Sequence, residues 1–349
     1  MSESILLDVR NLSVEFAMSR SRMGLGPRRS LSAVSDVSLC VAAGETIGLV
    51  GESGSGKSTF GRAILRLGEL TKGQVFLDGQ DMAQARGEDL ARLRRETAMI
   101  FQDPFGSLNP RLTVRQAIGE VLHVHGKADA DGARARITEL LELVGLDAAL
   151  MDRRPGDLSG GQCQRIGIAR ALAIEPRLIV ADECVAALDV SIQGQIINLL
   201  MELGQRMHLG MIFIAHDLAM VRRLCDRIAV MYLGRIVEEG PTEEVFGDPR
   251  HPYTRSLIEA VPEIDPARGL PAAPLQGEPP SPVDLPKGCS FHPRCPLARS
   301  ECSAILPPLV GARAHRAACI LAPGGQLNKA GDNLPKTIPV TPTERTVKC

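Results

Sequence analysis

The feature that most restricts this chain's fold is the run from Ile47 to Leu67. The short apolar segment IGLV (47–50) leads into GESGSGKST (51–59), and FGRAILRL follows at helical spacing. A strand, a glycine-rich turn and a helix in that order form a loop whose backbone N–H groups converge on an anion at a helix N-terminus. Gly51 to Ser58 fits GxxxxGK[ST], so Lys57 is placed to neutralise β/γ-phosphate charge and the Ser58 hydroxyl to ligate Mg²⁺. Such a loop is built into a mostly parallel α/β sheet, and further buried strands are expected.

Two other apolar runs meet that expectation. LIVA (178–181) ends in Asp182 and Glu183, and MIFIA (211–215) ends in His216. Both read as buried parallel strands with chemistry at their C-terminal ends. Asp182 is the expected metal-side carboxylate, and Glu183 the base that takes a proton from an attacking water. LSGGQ (158–162) opens the helical run CQRIGIARALA, so Ser159, Gly160, Gly161 and Gln162 offer a second helix start to an anion. If the two glycine-rich helix starts belong to separate subdomains, one chain cannot easily wrap one nucleotide with both. A second copy removes that difficulty.

Elsewhere, ILLDVRNLSVEF (5–16) and Ala33 to Val41 alternate apolar and polar residues, as half-buried antiparallel strands do. The connecting segment holds Arg20, Arg22, Arg28 and Arg29 without an acid and reads as an exposed loop, with anionic lipid or a membrane subunit as the alternative contact. From Pro104 the pattern turns helical; Ile137, Leu140, Leu141 and Val144 form a stripe expected to be core packing. After Gly240 regular periodicity fades except at EEVF (243–246). Val261 to Pro286 is a Pro/Ala-rich arm, and from about Gly324 the polar tail is expected to be disordered.

Composition removes several functions. Forty basic and forty-one acidic residues leave a net charge of -1, so no global field attracts nucleic acid. With no Trp and two Tyr, base stacking cannot be the main use of a surface. The N-terminus lacks a secretory pattern, and no apolar run reaches the roughly 18 residues of a spanning helix. Nine cysteines, an odd number, suit reduced packing residues in a cytosolic chain, apart from a C-terminal group. That group is Cys289, Cys295, Cys302 and Cys319, in a loop-rich segment without CxxC pairs. A 4Fe-4S cluster, Zn²⁺ and metal-free reduced thiols all remain open, and His292 is poorly spaced to replace a thiolate.

The ordered set GESGSGKST, FQDP (101–104), LSGGQ, LIVADE, ALDVS (187–191) and IAHD (214–217) resembles the ABC-transporter ATPases over about residues 5–260. FQDPFGSLNPR, SGGQCQRIGIARAL, ALDVSIQ, HPYT (251–254) and GCSFHPRCP (288–296) bring it closer to the oligopeptide/dipeptide permease ATPases, in particular their F-type subunit. The resemblance implies an α/β P-loop NTPase of ABC type with an antiparallel β-subdomain, an α-helical insertion at about 104–160 and a small Cys-rich C-terminal appendage. It divides the chain into an ATPase domain (1–260), an extension (261–323) and a tail (324–349).

The resemblance further implies ATP and Mg²⁺ held by Gly51, Glu52, Ser53, Gly54, Ser55, Gly56, Lys57, Ser58, Thr59 and Asp182. Gln102 would sense the γ-phosphate and Mg²⁺, and His216 would hold the γ-phosphate and water. Asp189 and the Ser159–Gln162 segment would reach across a head-to-tail dimer. The implied partners are a second, related ABC ATPase subunit, two transmembrane permease subunits and an extracytoplasmic substrate-binding protein, on the cytoplasmic face of the inner membrane, with no nucleic acid. The implied cargo is a peptide, with nickel, opines or glutathione carried by relatives, and the tail resemblance favours iron at the cysteines. There are three departures from the family: Cys184 stands for a usual Pro, Ala186 for a usual Ser, and Leu31 and Ser32 occupy the region of the adenine-stacking aromatic, leaving Phe16 as the nearest aromatic.

Overall fold

The computed structural model describes residues 4–17, 30–127, 132–261, 275, 277–311 and 315–323. Strand β1 (Ile5–Ala17) turns Leu7, Val9, Leu12 and Val14 inward and pairs antiparallel with β2 (Ser30–Ala42). The chain then enters β3 (Thr46–Val50), passes the glycine-rich turn into helix α1 (Lys57–Ile64), and returns as β4 (Lys72–Leu77) and β5 (Gln80–Asp81). The outer strands close a four-stranded sheet in the order β2-β1-β4-β5, antiparallel throughout.

Helix α2 (Gly87–Glu96) leads to β6 (Thr97–Ile100), after which the chain becomes helical: α3 (Val114–Val124), α4 (Gly132–Leu143) and α5 (Gly160–Leu172). Thr113 caps α3 with a reciprocal Thr113–Gln116 pair that satisfies N–H groups at the helix start. Ile137, Leu140, Leu141 and Val144 are buried against Ile118, Leu122 and Ile166, the core role expected of that stripe.

The second sheet is assembled from β3, β6, β7 (Leu178–Asp182), β8 (Gly210–Ala215), β9 (Arg227–Tyr232), β10 (Arg235–Pro241) and β11 (Arg316–Ala317). Helix α6 (Val190–Met207) joins β7 to β8, and α7 (Leu218–Leu224) joins β8 to β9. The strand order is β11-β10-β9-β3-β8-β7-β6, with β9, β3, β8, β7 and β6 parallel and the other two antiparallel. Every residue of β3, β7 and β8 is buried. Near-continuous apolar runs are what a parallel sheet covered on both faces requires. Among the described residues no helix is long and apolar enough to cross a membrane.

After Gly240 the structure is more regular than the sequence pattern. Helices α8 (Thr242–Gly247) and α9 (Pro252–Glu259) are too short to show periodicity, and α9 is set by its start. The N–H of Tyr253 donates to His251 Nδ1 at 3.1 Å, and Pro252 occupies the first turn where no N–H is needed. His251 is buried, and burial pushes its pKa down to about 4, so the cap is a neutral imidazole. The Arg20–Arg29 loop, most of the Pro/Ala-rich arm and the tail from Gly324 lie outside the described residues.

The C-terminal extension is fastened to this frame by buried charge. Glu238 accepts the N–H groups of Arg250 and His251, each at 2.8 Å, and meets His315 Nε2 at 2.7 Å, with both side chains almost wholly enclosed. Arg316 holds the adjacent Glu239 while β11 pairs with β10. Partners that satisfy a buried carboxylate on several sides fix its neighbours in place.

Candidate nucleotide site

Four parallel strands, β3, β8, β7 and β6, point their C-terminal ends at one edge of the sheet. The loop 51–59 follows β3, Asp182 and Glu183 end β7, His216 follows β8, and Gln102 follows β6. Residues scattered over more than a hundred positions are thereby delivered to one crevice, where open α/β sheets bind their ligands.

The loop's shape depends on glycine at two crowded places. Gly56 has φ 102°, and a Cβ there would lie 2.1 Å from the Ala33 carbonyl oxygen; at Gly51 a Cβ would lie 2.1 Å from that of Met231. Lys57 is buried, and its Nζ donates to the carbonyls of Gly51 at 2.8 Å and Glu52 at 2.9 Å. Burial lowers its pKa, while Glu183, Asp182 and Glu52 act in the opposite direction. Ser53 and Gly54 are exposed, and Ser58 and Thr59 are half-buried at the start of α1.

Ser58 Oγ donates to Asp182 Oδ1 at 2.6 Å, with the Asp182 side chain almost fully enclosed. This hydroxyl and carboxylate form an oxygen-only donor pair, and the exposed Gln102 can add an amide oxygen, which suits a hard divalent cation such as Mg²⁺. Gln102 Nε2 instead donates to Glu183 Oε2 at 3.0 Å, and His216 Nδ1 stands 3.9 Å from the same oxygen. Glu183 therefore lies between the two side chains expected to handle the γ-phosphate. Its backbone is left-handed, φ 44°, a conformation costing a non-glycine residue roughly 1–2 kcal/mol. Its N–H donates to the Ile214 carbonyl at 2.9 Å, which fixes the turn. Strain held in this way is common where a side chain must be aimed.

The LSGGQ segment is built but stands apart. Ser159 Oγ accepts the N–H of Gln162 at 3.2 Å and Gln162 Oε1 accepts that of Ser159 at 2.9 Å, capping α5. As acceptor in that cap, the exposed Ser159 hydroxyl keeps its proton for an anion. Gly160 and Gly161 pack beside Leu188 and Ile192, next to the exposed Asp189 at the start of α6. Among the described residues no hydrogen bond joins 158–162 to 51–59.

Two partners of the loop carry no expected role in the sequence reading. Arg294 grips the Glu52 carboxylate with both terminal nitrogens, at 2.7 and 3.0 Å, and the Glu52 N–H donates to Tyr253 Oη at 2.8 Å. The motifs that hold them, HPYT and GCSFHPRCP, were visible, but their distance in sequence from Glu52 gave no sign of contact. Phe16, 52% exposed, stands opposite Leu31 in the β1–β2 register, so an exposed aromatic does occupy that neighbourhood. Cys184 is buried directly behind Glu183 with its pKa pushed up to about 12 by burial, an inert packing thiol.

Cys289, Cys295, Cys302 and Cys319 line one small pocket together with Phe291 and His292. Burial raises the pKa of Cys295 and Cys319 and pushes that of Cys289 up to about 11. His292 turns Nδ1 to the Cys289 carbonyl at 2.9 Å. Among the described residues, no group of three or more His, Cys, Asp or Glu is placed to hold a metal ion.

A strand-loop-helix phosphate cradle after β3, carboxylates at the end of β7 two strands away and a separate LSGGQ helix define an ABC-type ATPase cassette. Residues 34–186 match the ABC transporter family, and residues 237–302 match the oligopeptide/dipeptide transporter C-terminal region. The chain is 50% identical over 316 residues to a probable peptide ABC transporter ATP-binding protein of Sinorhizobium fredii, covering 88% of this chain and 89% of the relative. It is 47% identical over 320 residues to the oligopeptide transport ATP-binding protein OppF of Salmonella typhimurium, covering 90% and 96%. A dimeric ATP-binding cassette solved in a post-hydrolysis state with ADP and phosphate superposes with a TM-score of 0.60 at 29% identity, over 68% of this chain and 98% of that one. CbiO1 of Clostridium perfringens gives 0.60 at 28%, over 70% and 92%. The chain belongs to the ATP-binding proteins of the ABC transporter family, and it is an ABC ATPase.

Proposed function

We propose that this chain is the ATP-hydrolysing subunit of an importer for oligopeptides or dipeptides. In this reading it forms a head-to-tail pair with a second, related ABC ATPase subunit on the cytoplasmic face of the cell membrane. The pair drives two transmembrane permease subunits fed by an extracytoplasmic substrate-binding protein. The observation that carries the reading is the convergence of Lys57, Ser58, Gln102, Asp182, Glu183 and His216 at one sheet edge while Ser159 stays exposed elsewhere. A cradle that lacks its second helix start is completed by a facing molecule.

The contacts support a division of labour. Lys57 and the loop amides bind the phosphates, and Ser58, Gln102 and Asp182 would hold Mg²⁺, whose charge screens the phosphates and the departing oxygen. Glu183 accepts a proton from water, and His216 orients that water and the γ-phosphate. Gln102 can turn its amide oxygen to the metal while its amide nitrogen stays with Glu183, which joins the segment after β6 to the base. Closing energy is differential, because ATP has to bind the joined pair more tightly than the separated one. The peptide assignment is supported by the names of the relatives and the match of residues 237–302. Co-expressed with its permeases and second ATPase in membrane vesicles, the complex is expected to accumulate short peptides only with ATP. Uptake of nickel, an opine or glutathione instead would overturn the peptide assignment but leave the motor intact.

We also propose the pocket cysteines Cys289, Cys295, Cys302 and Cys319 as ligands of a 4Fe-4S cluster. Convergence of the four thiols on one pocket supports it. Protein purified without oxygen should contain iron and acid-labile sulfide near four of each per chain and lose both when Cys289 and Cys302 become Ser. Absence of both from anaerobic protein would end this assignment.

A further inference from the structure

We propose that the cysteine-bearing C-terminal extension sets the phosphate loop's conformation for ATP, with Arg294 as the positioning residue acting through Glu52. The inference rests on the reading of residues 51–59 as an ATP site. Glu52 is held at both its side chain and its backbone. Its carboxylate takes a bidentate pair from Arg294, whose side chain is 5% exposed, while its N–H reaches Tyr253 Oη. Planar two-point pairing of this kind fixes direction as well as distance.

Arg294 is itself braced. Its Nη1 lies 3.5 Å from Tyr232 Oη, and its guanidinium sits 5.9 Å from the Tyr232 ring. Tyr232, Tyr253 and Phe291 pack mutually with centroids 4.7 to 5.4 Å apart, and His251 joins them 5.6 Å from Phe291. The HPYT and GCSFHPRCP motifs thus close into one aromatic cluster beneath the loop. A second contact lies beside β2, where the Ser32 N–H donates to the Pro282 carbonyl at 3.4 Å.

The loop residue gripped in this way is one whose carbonyl receives the Lys57 ammonium, and the residues that follow it, Ser53 and Gly54, are exposed. A glycine-rich loop left to itself loses considerable backbone freedom on closing round phosphate. Holding Glu52 in advance removes part of that loss from binding, so affinity for ATP depends on the extension although no residue of the extension need touch the nucleotide.

The test is a double-mutant cycle in the full-length chain with Arg294→Met, Glu52→Gln and both together. Binding of a fluorescent ATP analogue and the thermal midpoint without nucleotide are read for each, and ATPase kinetics are read in the assembled transporter. Each single change should weaken nucleotide binding about fivefold or more, and the double change should be no worse than the weaker-binding single. Arg294→Met should raise KM for ATP with kcat at saturation held within about twofold. Wild-type affinity in both single variants, multiplicative losses in the double, or a lowered midpoint with unchanged affinity would overturn the proposal. Glu52→Gln keeps the size of the side chain and its N–H bond to Tyr253, so it reports even if Arg294→Met folds poorly. Failure of the wild-type chain to bind the analogue would instead defeat the ATP-site reading.

Discussion

Replacing Glu183 with Gln is expected to abolish sustained phosphate release while ATP still draws the cassette together with its partner subunit. The carboxylate is 16% exposed, lies 3.0 Å from the Gln102 amide nitrogen and 3.9 Å from His216, and is aimed by a left-handed backbone bonded to Ile214. An amide of the same shape leaves that geometry and the neighbouring Asp182–Ser58 pair in place. It cannot take a proton from water, and loss of a positioned general base costs roughly 10²–10⁴-fold in rate. Binding and turnover should therefore separate. Phosphate release should fall at least a hundredfold on that scale, while cross-linking between the two ATPase subunits should still increase on adding Mg-ATP. Unaltered phosphate release from the variant would remove Glu183 from the role of base and point to His216 or to the substrate itself as proton acceptor.

The elements legible in the sequence were those whose signal is local. The strand-loop-helix at 47–67, the apolar runs ending at Asp182 and His216, and the stripe Ile137–Val144 each carry their pattern within a few turns of chain, and the structure places them accordingly. What remained hidden was of two kinds. Backbone geometry was one: nothing in the residue type announces the φ of 44° at Glu183, because a non-glycine enters that region only when surrounding bonds hold it there. Distance along the chain was the other. The pairing of β11 with β10, the Glu238–His315 contact and the Arg294–Glu52 pair join residues that no periodicity relates. Single short helices such as α8 and α9 fall between these cases, since six or eight residues hold too few turns to show a stripe. At the cysteines the sequence showed four thiols in a loop-rich segment, but only the fold shows that Cys319, beyond a gap in the spacing, lines the same pocket as Cys289.

Replacing Lys57 with Ala is expected to remove Mg-ATP binding, the largest effect of any single change outside the core. The ammonium donates to the carbonyls of Gly51 and Glu52 and lies 3.4 Å from Ser55 Oγ. It is also the buried cation set against Asp182, Glu183 and Glu52. Truncation leaves two loop carbonyls without that donor and concentrates carboxylate charge where phosphates must enter. A hundredfold in affinity corresponds to about 2.8 kcal/mol, and loss of the cation that faces the phosphates should exceed it. Titration with a fluorescent ATP analogue should show affinity weakened at least that hundredfold, far beyond the change expected for Arg294→Met. Lys57→Arg is the sharper control: it keeps the charge, but its planar fork cannot follow the compact ammonium between the Gly51 and Glu52 carbonyls, so it should restore little binding. ATP affinity near wild type in Lys57→Ala would mean that the nucleotide phosphates are held elsewhere, and the assignment of residues 51–59 as the cradle would have to be withdrawn.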